Sequence, residues 1–151
     1  MLERCFQIGM MMKVDQKLVD AAIGFVNSRF PNQPWEGAAA LYIEDGTILI
    51  STAPAVVNES VSLCHETGAI CEAYARDKRV TASVCVSRNE KSEFVVLSPC
   101  GVCQERLWYW GGEVQVAVPE EANPTHWRSV ALSEVAPHYW RKQFMNTTDH
   151  K

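Results

Sequence analysis

The sequence predicts a three-layer α/β/α domain built on a mixed sheet. Three observations carry that expectation. Apolar runs of strand length alternate with stretches of helical periodicity along most of the chain. The first two strand-like runs are joined by Glu44-Asp45-Gly46, a strong hairpin signal. With 151 residues and 47% hydrophobic content, the chain fits one domain with a sizeable core. The expected division is an N-terminal extension over 1–13, the domain over 14–140 and a polar tail over 141–151.

Taken in order, Val14, Leu18, Ala21, Ala22, Phe25 and Val26 recur at helical spacing, and Pro31 ends that helix after Phe30. Pro31-Asn32-Gln33-Pro34 reads as a turn. Strands follow at Gly37–Ile43 and Thr47–Thr52, then a loop over Ala53–Ser62. Cys64–Arg79 reads as a helix with Ala69, Ile70, Ala73 and Tyr74 inward and a charged end from Arg76 to Arg79. Val80–Ser87 and Phe94–Leu97 are strand-like about a polar turn over Arg88–Ser92. A helix from Cys100 to Trp110 ends at Gly111-Gly112. Val114–Val118 is a short buried strand, Pro119–Pro124 a loop and Trp127–Ala131 a last strand. Leu132–Trp140 offers a short helix interrupted by Pro137. No internal repeat or low-complexity segment is present.

A formal charge of −4 and the lack of a basic run give no footprint for phosphate backbones, so nucleic acid is not an expected partner. No apolar run reaches the ~20 residues that span a bilayer, and Met10-Met11-Met12 lacks the apolar stretch of a secretory signal. The expectation is a cytoplasmic protein without a membrane partner. Six cysteines in a chain of this length are sparse for a disulfide scaffold. Cys71 and Cys85 read as small apolar core residues, and Cys5 is left unassigned.

The chemistry concentrates in Cys64-His65-Glu66 and Pro99-Cys100-Gly101-Val102-Cys103. A metal ligand, one spacer and a Glu, followed by Pro-Cys-x-x-Cys, form the signature of zinc deaminases, in which the Glu carries protons and does not bind metal. Cys64, Cys100 and Cys103 are the expected zinc ligands and Glu66 the catalytic acid–base. Three protein ligands leave a fourth tetrahedral position for water, whose pKa zinc lowers to about 7. One carboxyl beside the metal can then move a proton to a ring nitrogen and on to departing ammonia. The helical reading places all three thiols at helix starts, where the positive end of the peptide dipoles favours thiolate. A closed structural site of Cys64, Cys100, Cys103 and His65 is the alternative, and it leaves Glu66 idle.

From Phe30 to about Val118 the sequence resembles the cytidine deaminase superfamily, and more loosely the blasticidin S deaminases. The resemblance rests on Gly37-Ala38-Ala39, Asp45-Gly46, Cys64-His65-Glu66 and Ser98-Pro99-Cys100-Gly101-Val102-Cys103, which follow the family's order. It implies zinc, a core sheet of about five strands, an amino-pyrimidine substrate and a homo-oligomer, dimer or tetramer, whose subunits complete each other's sites. Backbone groups of Cys64 or Pro99 would position the leaving amine.

Departures from the family bear on the substrate. Nucleoside-acting relatives carry Asn-x-Glu for the ribose where this chain has Ala53 and Ala55, which offer no polar side-chain atoms. Thr67 stands where tetrameric members often carry an Arg beside the thiolates, a role open to Arg106. His65 replaces a small Ala and reads as an outer partner of the metal centre or a packing residue. Trp35 lies where the family holds an aromatic beside the base, with core packing as its alternative. Trp108 and Tyr109 read as core or subunit packing, and Tyr139, Trp140 and Phe144 as packing or as reaching a site. The expected activity is hydrolytic deamination of a cytosine-type nucleoside or base. Its alternatives are deamination of another amino-ring compound, such as a blasticidin-like aminonucleoside or an aminopurine, and a non-catalytic protein with structural zinc.

Overall fold

Asp15 sets the start of the first helix. Its backbone is extended, and its carboxylate accepts the Leu18 N–H at 2.9 Å, satisfying a donor that the helix leaves unpaired. Helix α1 runs Gln16–Arg29 and buries Leu18, Val19, Ala22 and Val26. The computed structural model describes residues 11–144. Residues 1–10, which hold most of the expected extension and Cys5, and residues 145–151 of the expected tail lie outside the described residues.

Strand β1, Gly37–Ile43, pairs antiparallel with β2, Ile48–Ser51, around a turn in which Gly46 takes a φ of 83°. That conformation suits a residue without Cβ. On its other edge β1 pairs antiparallel with β3, Val80–Arg88. The free edge of β3 is shared. Cys85–Arg88 pair antiparallel with β4, Phe94–Leu97, whereas Ala82 and Ser83 pair parallel with β5, Gln115–Glu120. Strand β6, Asn123–Ala131, completes a six-stranded sheet by antiparallel pairing with β5.

Alternation along β1 sorts the layers. Ala38, Ala40 and Tyr42 pack with the apolar face of α1, and Tyr42 also donates its hydroxyl to Asp15 at 3.0 Å. Ala39, Leu41 and Ile43 pack on the opposite side with Ala69, Ile70 and Ala73 of α2, Thr67–Ala75, and with Leu107 of α3, Gly101–Leu107. The sandwich has three layers, as the alternation of elements predicts, with one strand more than the resemblance implies.

Several local expectations are corrected. Helix α2 begins at Thr67, not Cys64, and Tyr74 is exposed on its outer side. Trp108–Trp110 form a separate 3-10 turn after α3, closed by Gly111 at a φ of 106°. The expected loop over Pro119–Pro124 is a tight β5–β6 hairpin. Pro119 lies beyond the short stretch where β5 pairs with β3, so the missing N–H costs no ladder bond there. Cys71 is exposed, whereas Cys85 is buried as expected. Arg88 belongs to β3 and is only 4% exposed. Its guanidinium donates to Phe30 O, Gln33 O and Asn27 Oδ1 at 2.7, 2.9 and 2.6 Å, tying down the connector between α1 and β1. A short helix α4, Leu132–Val135, follows β6.

Candidate active site

Ser51, at the end of β2, anchors the segment that carries Cys64. Its hydroxyl donates to the His65 carbonyl at 2.5 Å and accepts the Ala69 N–H at 2.9 Å, capping α2 from a neighbouring strand. Gly68 makes this approach possible, because a Cβ there would lie 2.9 Å from that of Ser51. Cys64 sits in the turn before α2, its carbonyl accepting the Thr67 N–H at 3.1 Å. Pro99 ends the previous segment and Cys100 caps α3, its sulfur accepting the Cys103 N–H at 3.5 Å.

These turns bring the three predicted thiols together. The sulfurs of Cys64 and Cys100 are 3.1 Å apart, and those of Cys64, Cys100 and Cys103 all lie within 4.8 Å of one another. Tetrahedral thiolates at about 2.3 Å from zinc sit about 3.8 Å apart, so the donor set and its spacing fit such an ion. Burial, then the hydrogen bond to Cys100, pushes the Cys64 thiol up. Burial also acts upward on Cys100, but hydrogen bonds from the Cys103 backbone and from Cys64 outweigh it and bring that thiol below its ordinary value. Burial and then the charge of Glu66 raise Cys103. The expected lowering therefore appears at Cys100 alone: Cys64 lies outside the first turn of α2, and Cys103, inside the first turn of α3, is raised by its burial. A cation among the sulfurs would reverse the upward shifts.

Glu66 is 4% exposed at the start of α2. Its charge acts on Cys64, Cys103 and the Cys85 thiol of β3, which burial holds protonated. His65 turns away from the cysteines. Its Nδ1 accepts the Ala53 N–H at 3.0 Å, and its ring fills the space beside Gly37, where a Cβ would lie 2.7 Å from Nε2. Burial keeps the imidazole pKa below its ordinary value, in keeping with an unprotonated Nδ1.

The other expected residues are spread around this centre. Ala53 and Ala55 line a cavity of about 340 Å³ with Arg29, Phe30, Glu36, Thr52 and Pro54. Trp35 is 64% exposed at a φ of 68°, which rules out its core-packing alternative. The Pro99 carbonyl already accepts Gln104 Nε2 at 2.8 Å. Arg106 donates to Thr67 Oγ1 at 2.8 Å, beside Glu66 in the chain. Trp108 is buried and stacks on Tyr139 at 4.1 Å, while Tyr109 is exposed and packs edge-on against Tyr74. Tyr139 and Trp140 both donate to Glu105. Phe144 is exposed.

Ser51, Arg88 and Glu36 were not singled out by the sequence. Only Glu36 carries a local signal, a lone charge abutting the apolar strand Gly37–Ile43.

No protein-family model and no curated protein matches the chain. Among solved structures, the cytidine deaminase from Bacillus anthracis is 49% identical, with a TM-score of 0.77 over 85% of this chain and 91% of that one. The cytidine deaminase from Mycobacterium tuberculosis, 22% identical, has a TM-score of 0.58 over 81% of this chain and 96% of that one. The cytidine deaminase from Burkholderia pseudomallei, 18% identical, has a TM-score of 0.62 over 81% and 95%. The last two likenesses speak to the fold, and the first extends to sequence over nearly the whole of both chains. A three-thiol cluster beside a buried carboxyl, on a scaffold so closely matched, makes this chain a member of the cytidine deaminase family.

Proposed function

We propose that the chain is a zinc-dependent hydrolase that replaces the exocyclic amine of a cytosine-type nucleoside or base with oxygen and releases ammonia. The observation that carries this reading is the gathering of Cys64, Cys100 and Cys103 within 4.8 Å, beside buried Glu66, in a chain 49% identical to the Bacillus anthracis cytidine deaminase.

Cys64, Cys100 and Cys103 would hold the zinc. When bound, zinc supplies a hydroxide equivalent near neutral pH by lowering the pKa of its water to about 7. Glu66, close enough for its charge to act on the thiols, takes one proton of the attacking water on a carboxylate oxygen and passes it to the ring nitrogen, then takes the second and passes it to the leaving amine, ending ionised as it began. Its burial excludes bulk water from that exchange. Backbone groups of Cys64 or Pro99 orient the amine, Trp35 borders the ring, and Ala53 and Ala55 form the wall against which the rest of the substrate lies. Arg106, held by Thr67, offsets part of the negative charge of the thiolates.

A second reading within the same chemistry has a specific observation behind it. The side chains of Ala53 and Ala55 offer a sugar no polar atoms, and unless another residue of their cavity takes that contact the substrate is an amino-ring compound other than a common ribonucleoside. Subunits complete each other's sites in a homo-oligomer, and the reduced thiols suit a cytoplasmic setting. Among the described residues no helix is long and apolar enough to cross a membrane.

Ammonia release from cytidine, deoxycytidine, cytosine, blasticidin S and guanine separates the readings. Glu66→Gln should retain zinc and lose about 100-fold or more in kcat on whichever compound the wild type accepts. Retained zinc with unchanged activity refutes the proton-carrying role.

A further inference from the structure

The cavity lined by Ala53 and Ala55 is not apolar throughout. Glu36 and Arg29 share it, with Phe30, Thr52 and Pro54 completing the lining. Its volume of about 340 Å³ lies within the range of small-molecule sites. It adjoins the reaction centre through one residue, because the Ala53 N–H is bonded to His65, the chain neighbour of both Cys64 and Glu66. His65 lies within electrostatic reach of both Glu66 and Glu36.

Glu36 is half-buried, and among the described residues neither its carboxylate nor the Arg29 guanidinium belongs to an ion pair. The Arg29 guanidinium lies 4.7 Å from the centre of the Phe30 ring. A cationic ligand group in this cavity would be repelled by Arg29, and an anionic one by Glu36. Neutral hydroxyls suit both. Each hydroxyl donates one hydrogen bond, which a carboxylate accepts, and accepts others, which a guanidinium supplies. The connector that carries Glu36 is fixed on both sides, by the Trp35 N–H to Arg88 O at 2.7 Å and by the Arg88 N–H to Glu36 O at 2.9 Å.

We propose that Glu36, with Arg29 at the rim, reads the vicinal hydroxyls of the substrate's sugar, a task for which Ala53 and Ala55 have no side-chain atoms. This assignment rests on the deaminase reading and makes the substrate a ribonucleoside. Glu36 is then a specificity-determining residue delivered by the α1–β1 connector and not by the end of β2.

Kinetics of the zinc-loaded full chain on cytidine and on 2′,3′-dideoxycytidine test it. Deleting the hydroxyls from the substrate and deleting the carboxylate from the protein remove the same contact. Glu36→Ala should therefore lose about 10-fold more kcat/KM on cytidine than on the dideoxy substrate. Glu36→Gln, which conserves shape and one acceptor oxygen, should fall between Glu36→Ala and wild type. Equal losses on the two substrates for both variants overturn the assignment while the deaminase reading stands. A wild-type chain that turns over neither substrate nor any other amine refutes the deaminase reading, and the assignment with it.

Discussion

Replacing Arg88 by Met tests whether one buried guanidinium holds the substrate side of this protein together. The side chain is 4% exposed, makes three hydrogen bonds of 2.6–2.9 Å to Phe30 O, Gln33 O and Asn27 Oδ1, and lies 5.0 Å from the centre of the Phe94 ring. A hydrogen bond with one charged partner contributes about 1.5–3 kcal/mol. The sum of three overstates the loss, because Met also relieves the cost of burying a charge and the two carbonyls sit in a connector that can rehydrate. The net expectation is a loss of about 2–4 kcal/mol, since Met still fills the space of the aliphatic stem. For a chain of this size that lowers the melting temperature by about 5–15 °C. Urea denaturation followed by far-ultraviolet circular dichroism, with zinc in excess, measures it. The same variant should raise KM more than it lowers kcat, because the freed connector carries Trp35 and Glu36 and not the thiols. A variant within about 0.5 kcal/mol of wild type, or one whose loss falls on kcat alone, refutes the reasoning.

Three further perturbations address other joints of the structure. Asp15→Ala removes the cap of α1 and strands the buried Tyr42 hydroxyl, so it should cost about 2–3 kcal/mol in urea denaturation, and Asp15→Asn should recover part of this. His65→Ala leaves the Ala53 N–H without its acceptor and should destabilise by about 1–2 kcal/mol while raising KM; His65→Gln, whose side-chain oxygen can accept that bond, should restore part of both. Cys103→Ser should lose most of the metal by atomic absorption and lower the melting temperature, and a chelator added to wild type should produce a similar fall.

What could be read in advance was whatever is local along the chain. Gly37–Ile43 and Phe94–Leu97 are strands to the residue, because each is an uninterrupted apolar run with a turn signal at one end. The thiol cluster was legible because its ligands sit at fixed spacing inside two short motifs. The β5–β6 hairpin was hidden by Pro119 and Pro124, which mark a loop unless the strand is known to lack a partner on that side. The start of α2 was misread for a related reason: its capping hydroxyl comes from Ser51, 18 residues before Ala69, and no local pattern announces it. Arg88 looked like part of a solvated turn, since nothing near it in sequence names acceptors that lie 55 to 61 residues away. Glu36 abuts an apolar strand, but that signal does not name its cavity, which is assembled from three separate segments.

Ala38, Ala39 and Ala40 are each wholly buried in β1, so along this stretch the strand presents only methyl groups to the layers on either side. A saturation library should show this triplet as a band intolerant of bulk, with different symptoms at adjacent codons. Extra carbon at 38 or 40 presses on α1 and should appear as poor yield of folded protein. Extra carbon at 39, which pairs with Cys85, a thiol that the charges of Glu66, Cys64 and Cys100 reach, should appear as slowed turnover in molecules that still fold. Foldability and catalysis would then be tuned from positions one peptide bond apart.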